Sequence, residues 1–565
     1  MTRIALLTAV LWGANLWLVR IRDSVANHRS VLAGQPALGE PSSPLVQQVV
    51  IVLVDGLTYD ASLEMPFLNT LRDQGLDAQC RAYYPSYSQS AWTTLVSGAG
   101  PELSDAPLVD VPYDQLHFLT VDDLFTQAKI ADLRTGLLGS YVWERMIPER
   151  VLDHSLFVTA ADASADDEVV EQALDLMSNL PPNLLLVQLG EVGSAARMHG
   201  TTSRAYQDAV QRVDSHLRSI AQAISLRRNV LIVTSDHGYL PDGGYGGADE
   251  EVIITPLVMV GGRVLAGDHG QVDQADVAPT VATLLGLAIP SAAQGNILFD
   301  ALVMDEAENT EKWVAWAQQR VELSDVYLQS IRQPGLSEGP KGDAEVAWSS
   351  LLVRNYGSAR RLATFAVQGA VVEMVEGRTR RIASEQRRRL PAAVVPVLAV
   401  AYLLWRRWSR TTAVLFFAGL TAVLLSHLLF VWEGNLYSFS TARTWDAFAA
   451  GTLARMATAL LPSFCLVVWL AWLQRKRRPL EIATLNHSFA LILCFLLALP
   501  LAASYVLNGS EVTWRLPDPL FAFLQVFSLL QLGVAAFLTL FMPLLTVPLD
   551  RMLRWVTMKV GFPRR

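Results

Sequence analysis

Cysteine is scarce in this chain. There are three, Cys80, Cys465 and Cys494, and only Cys80 falls where the sequence reads as globular, which excludes a disulfide framework there. Charge is scarce too: 17% of residues are charged against 52% hydrophobic. That is too apolar for an ordinary soluble protein and too charged for a chain that is all membrane. With a net charge of −8 and no long basic stripe in the globular part, nucleic acid is not expected as a partner. The two characters are segregated. Residues 45–390 look globular, and beyond Leu390 long apolar runs alternate with short polar loops.

At the N-terminus, MTRIALLTAVLWGANLWLVRIR places one Arg before an apolar run and Arg20 and Arg22 directly after it. No small-residue cleavage pattern closes the run, so an uncleaved anchor is preferred to a signal peptide. SVLAGQPALGEPSSP, rich in Pro, Gly and Ser, reads as a linker. Five C-terminal segments have spanning length: 390–406, 411–432, 449–474, 487–508 and 519–547. Basic loops at Arg406, Arg407 and Arg410, at Arg475–Arg478, and in the tail at Arg551, Arg554, Lys559, Arg564 and Arg565 alternate with less basic loops. The positive-inside rule puts the basic set in the cytoplasm and the globular part outside. Arg378, Arg380, Arg381 and Arg387–Arg389 lie just before the first of these spans and read as a stripe meeting anionic headgroups. His427 and Arg455 are the ionisable exceptions within the spans.

In the globular part, VVIVLVDG at 49–56 is a run of six apolar residues, five of them β-branched, ending in Asp55 and Gly56. It predicts a strand buried on both faces, as in a parallel sheet. An acid at a strand's carboxyl end is a candidate metal ligand; the alternative is a turn or N-cap aspartate. MPFLNTLRDQG predicts an amphipathic helix. PSYSQSAWTTLVSG then presents hydroxyls, Ser86, Ser88 and Ser90, at the head of a helix closed by Gly98. Such a helix head can hold a phosphate or activate a nucleophile, and the alternative is simple capping. NVLIVTS predicts a second buried strand, ending in Asp236 and His237, a hard oxygen and an imidazole from one turn that suit zinc or manganese.

VDG at Asp55, PSYSQSAWTTLVSG, TSDHG at Asp236–His237 and DVAPTVATLLGLAIPSAAQG at 276–295 resemble, in order, the motifs of the alkaline phosphatase superfamily. The likeness is to its membrane-anchored branch of nucleotide pyrophosphatases/phosphodiesterases and glycolipid phosphoethanolamine transferases. The resemblance implies an α/β fold, a central, mostly parallel sheet flanked by helices. It implies Ser88 as nucleophile, with Ser86 and Ser90 as alternatives, and one metal held by Asp55, Ser88, Asp236 and His237. It also implies a second metal about 4 Å away, and here the sequence departs from the pattern. Gly193 stands where an Asp is expected, Arg197 where a His is, and Tyr245 where the last His is. Glu191 or His199 would fill the gap only after a register change, and His269 lies in a loop with no matching motif. A guanidinium at Arg197 and a hydroxyl donor at Tyr245 are expected to bind phosphoryl oxygens in place of the second metal; the alternative is that both merely fill space.

The chain is thus expected to comprise an N-terminal anchor (1–22), a linker (23–44), an extracytoplasmic α/β domain (45–305), a helical stalk (306–389) whose alternative is helices packed on the α/β domain, five transmembrane helices (390–548) and a basic cytoplasmic tail (549–565). The expected function is metal-dependent phosphoester hydrolysis or transfer on the outer face, with one divalent metal, zinc before manganese, and a phosphorylated or lipid-linked substrate. A pseudoenzyme of the same fold is the alternative, and a transport or assembly component a weaker one. A bacterial inner membrane with the domain in the periplasm is expected, an endoplasmic reticulum membrane satisfying the same topology.

Overall fold

The run Val49–Val54 is the central strand, β1, of an eight-stranded sheet, and all six of its residues are buried. The computed structural model describes residues 2–37, 41–474 and 478–559. After β1 come β2 (Leu76–Arg81), β3 (Thr135–Ser140), β4 (His154–Val158), β5 (Leu184–Leu189), β6 (Val230–Ser235), β7 (Ile254–Gly261) and β8 (Gly267–Asp273). Their spatial order is β4-β3-β5-β1-β6-β7-β2-β8. Only β7 runs against its neighbours; the remaining pairs are parallel. Because side chains alternate along a strand, Val49, Ile51 and Leu53 enter one core with Trp92, Leu95 and Val281. Val50, Val52 and Val54 enter the other, with Val213, Leu217 and Ile220. Each such side chain contributes about 1.5–3 kcal/mol when fully buried. The sheet with helices on both faces is the architecture that the resemblance implies.

Two compact units divide the chain. Residues 25–383 with 513–516 form one, and 1–24, 384–512 and 517–565 the other. Two expectations change in the α/β unit. The linker starts inside the first helix, Thr2–Ala26, and His28, Ser30 and Leu32 beyond it are buried. The segment expected as a stalk packs instead on the α/β core: Val314 and Ala317 of helix Glu306–Ser330, Ala347 of Glu338–Leu352, and Ala363 and Ala366 of Tyr356–Arg406 all belong to it. Small residues at helical spacing let these helices approach closely, and periodicity alone does not tell such a face from that of a free-standing helix. The basic stripe is partly consumed by pairing. Arg378 forms an ion pair with Glu102, and Arg389 with Glu385 at 2.9 Å.

In the other unit lie helices Thr2–Ala26, Arg410–Trp432, Trp445–Leu473, Pro479–Asn508 and Pro519–Phe541, with the end of Tyr356–Arg406. These six helices are long and apolar enough to cross a membrane, and the chain is an integral membrane protein. The last expected span is two helices: Pro519–Phe541 ends at Met542 and Pro543 opens the next, since proline favours a first turn and has no N–H for the preceding one. Arg455 is buried and pairs with Glu433 at 2.7 Å, and His427 Nδ1 lies 2.8 Å from the Tyr437 hydroxyl. Arg475, Lys476 and Arg477, and the tail's Arg564 and Arg565, lie outside the described residues.

Candidate active site

The strand order brings the motif residues together. β1 lies between β5 and β6, with Val54 in register with Leu189 and Ser235. The segments starting at Asp55, Gly190 and Asp236 therefore leave the sheet side by side, at the carboxyl edge where α/β folds bind ligands. Asp55, Asp236 and His237 each offer a ligand atom, all within 4.8 Å of one another, and all three residues are buried. Ser88 opens helix Ser88–Ser97, and its Oγ lies 3.0 Å from His237 Nε2.

Each member of this cluster is braced. Asp236 Oδ1 accepts from Gly56 N at 3.0 Å and His237 N at 2.9 Å, and its Oδ2 accepts from Trp92 Nε1 at 2.8 Å. His237 Nδ1 lies 3.0 Å from the Gly238 carbonyl. A carbonyl can only accept, so Nδ1 carries the proton and Nε2 turns its lone pair toward Ser88. Asp55 Oδ1, by contrast, is buried without a hydrogen-bond partner. Burial, and next the Asp236 charge, push the Asp55 carboxyl well above the usual carboxylate range, a situation that a shared cation relieves. Two carboxylates, an imidazole with its free lone pair and an unpartnered carboxylate oxygen fit a small divalent ion such as zinc or manganese.

The other expected residues lie on the facing side. Arg197, on helix Glu191–His199 after β5, reaches from an exposed position to the Tyr239 hydroxyl at 3.5 Å, with its guanidinium carbon 5.5 Å from the Tyr245 ring centre. Tyr245 stacks on His237, centroids 4.9 Å apart and planes at 22°. Its hydroxyl, expected to donate to phosphoryl oxygens, donates instead to Asp110 Oδ2 at 2.7 Å. Burial, and then Asp110, hold the Tyr245 phenol well above its ordinary pKa, so it stays protonated. Gly193 has a spatial reason: a Cβ there would stand 2.5 Å from Asp55 Oδ1. Gly56, at φ +70°, would meet the Tyr239 ring at 2.5 Å.

The alternatives fall elsewhere. Ser86 Oγ donates to the Gly247 carbonyl at 2.8 Å, and Ser90 Oγ is buried and makes no hydrogen bond. Glu191 is tied to Arg212, with 3.0 Å between Oε2 and Nε. His199 is exposed, and His269 sits on β8, outside the Asp55–Asp236–His237 group. Sequence reasoning missed Trp92, Tyr239 and Asp110. Trp92 lies in PSYSQSAWTTLVSG and Tyr239 directly after TSDHG, and an indole N–H and a phenol so placed are the signals that could have found them. Asp110 lies in an irregular loop and carried no signal. A groove of about 710 Å³ shares Tyr239 with the site and is lined by Asp60, Glu64, Glu250 and Glu251, with no basic side chain among its described lining residues.

Comparison with known proteins matches the part of the chain that holds these residues. The type I phosphodiesterase / nucleotide pyrophosphatase family model matches residues 49–103 and 125–242, stretches that contain Asp55, Ser88, Arg197, Asp236 and His237 and leave out Asp110 and Tyr245. The human GPI ethanolamine phosphate transferase 2 catalytic subunit is 26% identical over 299 residues, 47% of this chain and 30% of the human protein. GPI ethanolamine phosphate transferase 2 of Schizosaccharomyces pombe is 23% identical over 350 residues, 55% of this chain and 45% of its own length. The chain therefore spans less than half the length of these relatives. The structure of murine ectonucleotide pyrophosphatase/phosphodiesterase 5 aligns with a TM-score of 0.37 at 14% identity, covering 45% of this chain and all of that one. The α/β unit of this chain is thus similar in sequence to the type I phosphodiesterases/nucleotide pyrophosphatases and to the ethanolamine phosphate transferases.

Proposed function

We propose that the chain is a membrane-anchored phosphoester transferase or hydrolase that works through Ser88 and one divalent metal, zinc before manganese, held by Asp55, Asp236 and His237. The observation that carries this reading is the Ser88 hydroxyl at a helix head, 3.0 Å from His237 Nε2, beside a buried carboxylate oxygen without a partner. A metal bound there supplies Lewis-acid polarisation and lowers the pKa of the nucleophile's hydroxyl. The protein's own part is positional. The helix fixes Ser88 Oγ for in-line attack on phosphorus, the ester bond to the leaving alcohol breaks, and a phosphoserine ester forms. An acceptor alcohol or water then releases Ser88. Arg197 faces the side where the second metal is missing and offers a fixed positive charge to non-bridging oxygens. Tyr245 walls the site with its ring, its hydroxyl proton being directed to Asp110.

For substrate, the reading is a lipid-linked phosphodiester of the ethanolamine-phosphate kind. The relatives' names support it, as does the acidic groove beside Tyr239, which suits an ammonium group. The basic loops at Arg406–Arg410 and Arg551–Arg554 support a domain outside the membrane and a cytoplasmic C-terminus, as in a bacterial inner membrane. The test is metal content and phosphodiester turnover of the detergent-solubilised full chain, wild type against Ser88→Ala. About one metal per chain and turnover lost in the variant are expected. A metal-loaded wild type that turns nothing over would leave a phosphate-binding domain in place of an enzyme.

A further inference from the structure

We propose that Asp110 is a specificity-determining residue: its carboxylate, fixed beside the nucleophile at the head of helix Ser88–Ser97, selects phosphodiesters over phosphomonoesters. This rests on the phosphoryl-transfer reading and adds the charge of the group that the site accepts.

A helix head leaves N–H groups unsatisfied and is a natural place for an anion. The residue at the cap position, Tyr87, makes no side-chain cap bond. Asp110 supplies it from a distant loop, Oδ1 accepting from Gln89 N at 3.2 Å. Gln89 locks the loop in return: its Nε2 donates to the Val111 carbonyl at 2.9 Å and its Oε1 accepts from Val111 N at 3.0 Å. Oδ2 accepts from the Tyr245 hydroxyl at 2.7 Å, and the Tyr245 ring lies on His237. The carboxylate is thereby held in one place, between the residue after the nucleophile and the wall over the metal-ligand histidine. The anion at this helix head is the protein's own.

Charge then decides what can join it. Asp55 and Arg197 act on each other, and Asp236 and Asp110 are further charges that act on Asp55. One divalent cation neutralises that set. A phosphodiester brings one negative charge, a phosphomonoester close to two near neutral pH. A further unit charge a few ångströms from a fixed carboxylate, in a partly buried site, is disfavoured by about 10- to 100-fold. Asp110 and Tyr245 both fall outside the stretches matched by the family model, and Gln89 falls inside them.

The test compares wild type with Asp110→Asn as metal-loaded full chains. Asparagine keeps an acceptor for Gln89 N and removes the charge; Asp110→Ser repeats the measurement if the first variant does not fold. The kcat/KM ratio of bis(p-nitrophenyl) phosphate to p-nitrophenyl phosphate should fall about 10- to 100-fold, through gain on the monoester. Tyr245→Phe, which strips a donor from the carboxylate without removing its charge, should hold or raise the ratio. A readout without turnover is calorimetric binding of inorganic phosphate and dimethyl phosphate to Ser88→Ala, with and without Asp110→Asn. Phosphate should tighten about 10-fold or more relative to dimethyl phosphate. Turnover with both ratios unchanged overturns the inference and leaves the enzyme reading standing. A shifted binding ratio without turnover in the wild type overturns the enzyme reading and keeps Asp110 as the charge selector. Neither turnover nor a shifted ratio overturns both.

Discussion

On one side of the site Asp55, Asp236 and His237 are each at least nine-tenths buried and stand at the ends of central strands. On the facing side Arg197 is exposed, and Asp110 and Tyr245 are half-buried on loops. The buried side is over-determined: Asp236 alone accepts three hydrogen bonds, and a change there disturbs the sheet edge itself. On the loop side Asp110 accepts from Gln89 N and the Tyr245 hydroxyl, and Arg197 reaches the Tyr239 hydroxyl at 3.5 Å. Of the positions where the resemblance implies ligands of a second metal, Arg197 and Tyr245 lie on that side and bring a guanidinium and a phenol, while Gly193 is buried against Asp55.

That contrast can be broken by mutation. The largest effect is expected from Ser88→Ala, which removes the nucleophile and should lower turnover by about 10⁴ or more, measured as phosphodiester kcat, with metal content near wild type. Asp55→Asn should come next. Because Asp55 Oδ1 has no hydrogen-bond partner, the fold should keep its thermal midpoint while metal affinity falls by more than the about 10- to 100-fold typical of outer-shell changes, read by equilibrium dialysis. A large fall in the midpoint with metal retained would show that Asp55 serves the fold and not the metal.

On the loop side, Arg197→Ala should lower kcat by about 10²–10³, the usual loss of one transition-state contact. Arg197→Lys should recover only part of it, because an ammonium lacks the planar fork. An effect on KM alone would assign Arg197 to substrate capture. The smallest effect concerns how its helix is held. Asp166 accepts from Gly190 N at 2.8 Å and Glu191 N at 3.1 Å, at the head of the helix that carries Arg197, and burial pushes its carboxyl up to about 7. Between its unfolded value of 3.8 and about 7 the folded state binds the extra proton. This contribution to stability is therefore full below pH 4 and lost as pH rises toward 7, at most about 4 kcal/mol. Asp166→Asn should flatten the dependence of the thermal midpoint on pH across that window; an unchanged slope would place the titration elsewhere.

The strand and motif patterns were legible because period and chemistry coincide in them. Val49–Val54 could be read as a strand buried on both faces from its β-branched run, and the carboxylates after β1 and β6 follow from where such strands end. For residues 306–389 the sequence leaves stalk and packed helices open, since alanine-rich faces such as Ala359, Ala363 and Ala366 carry little periodic signal while packing tightly. Tyr245 is placed near the site by the resemblance, but the direction of its hydroxyl depends on Asp110, a residue 135 positions away in the chain.

By itself, the sequence determined the buried strands and the six spanning-length helices, because each is a local pattern; Asp55, Ser88, Asp236 and His237 it named only through the resemblance. Only the tertiary structure decided how the helices around the site are capped. Three of them begin after residues that supply no side-chain cap, Met65, Tyr87 and Gly190. Each borrows a carboxylate from elsewhere, Asp214 for Phe67 and Leu68 N, Asp110 for Gln89 N and Asp166 for Gly190 and Glu191 N. An orphaned N–H must be satisfied when it is buried, but the chain does not announce which distant acid will do so. That choice is made when the layers pack, and it is what sets the charge beside Ser88.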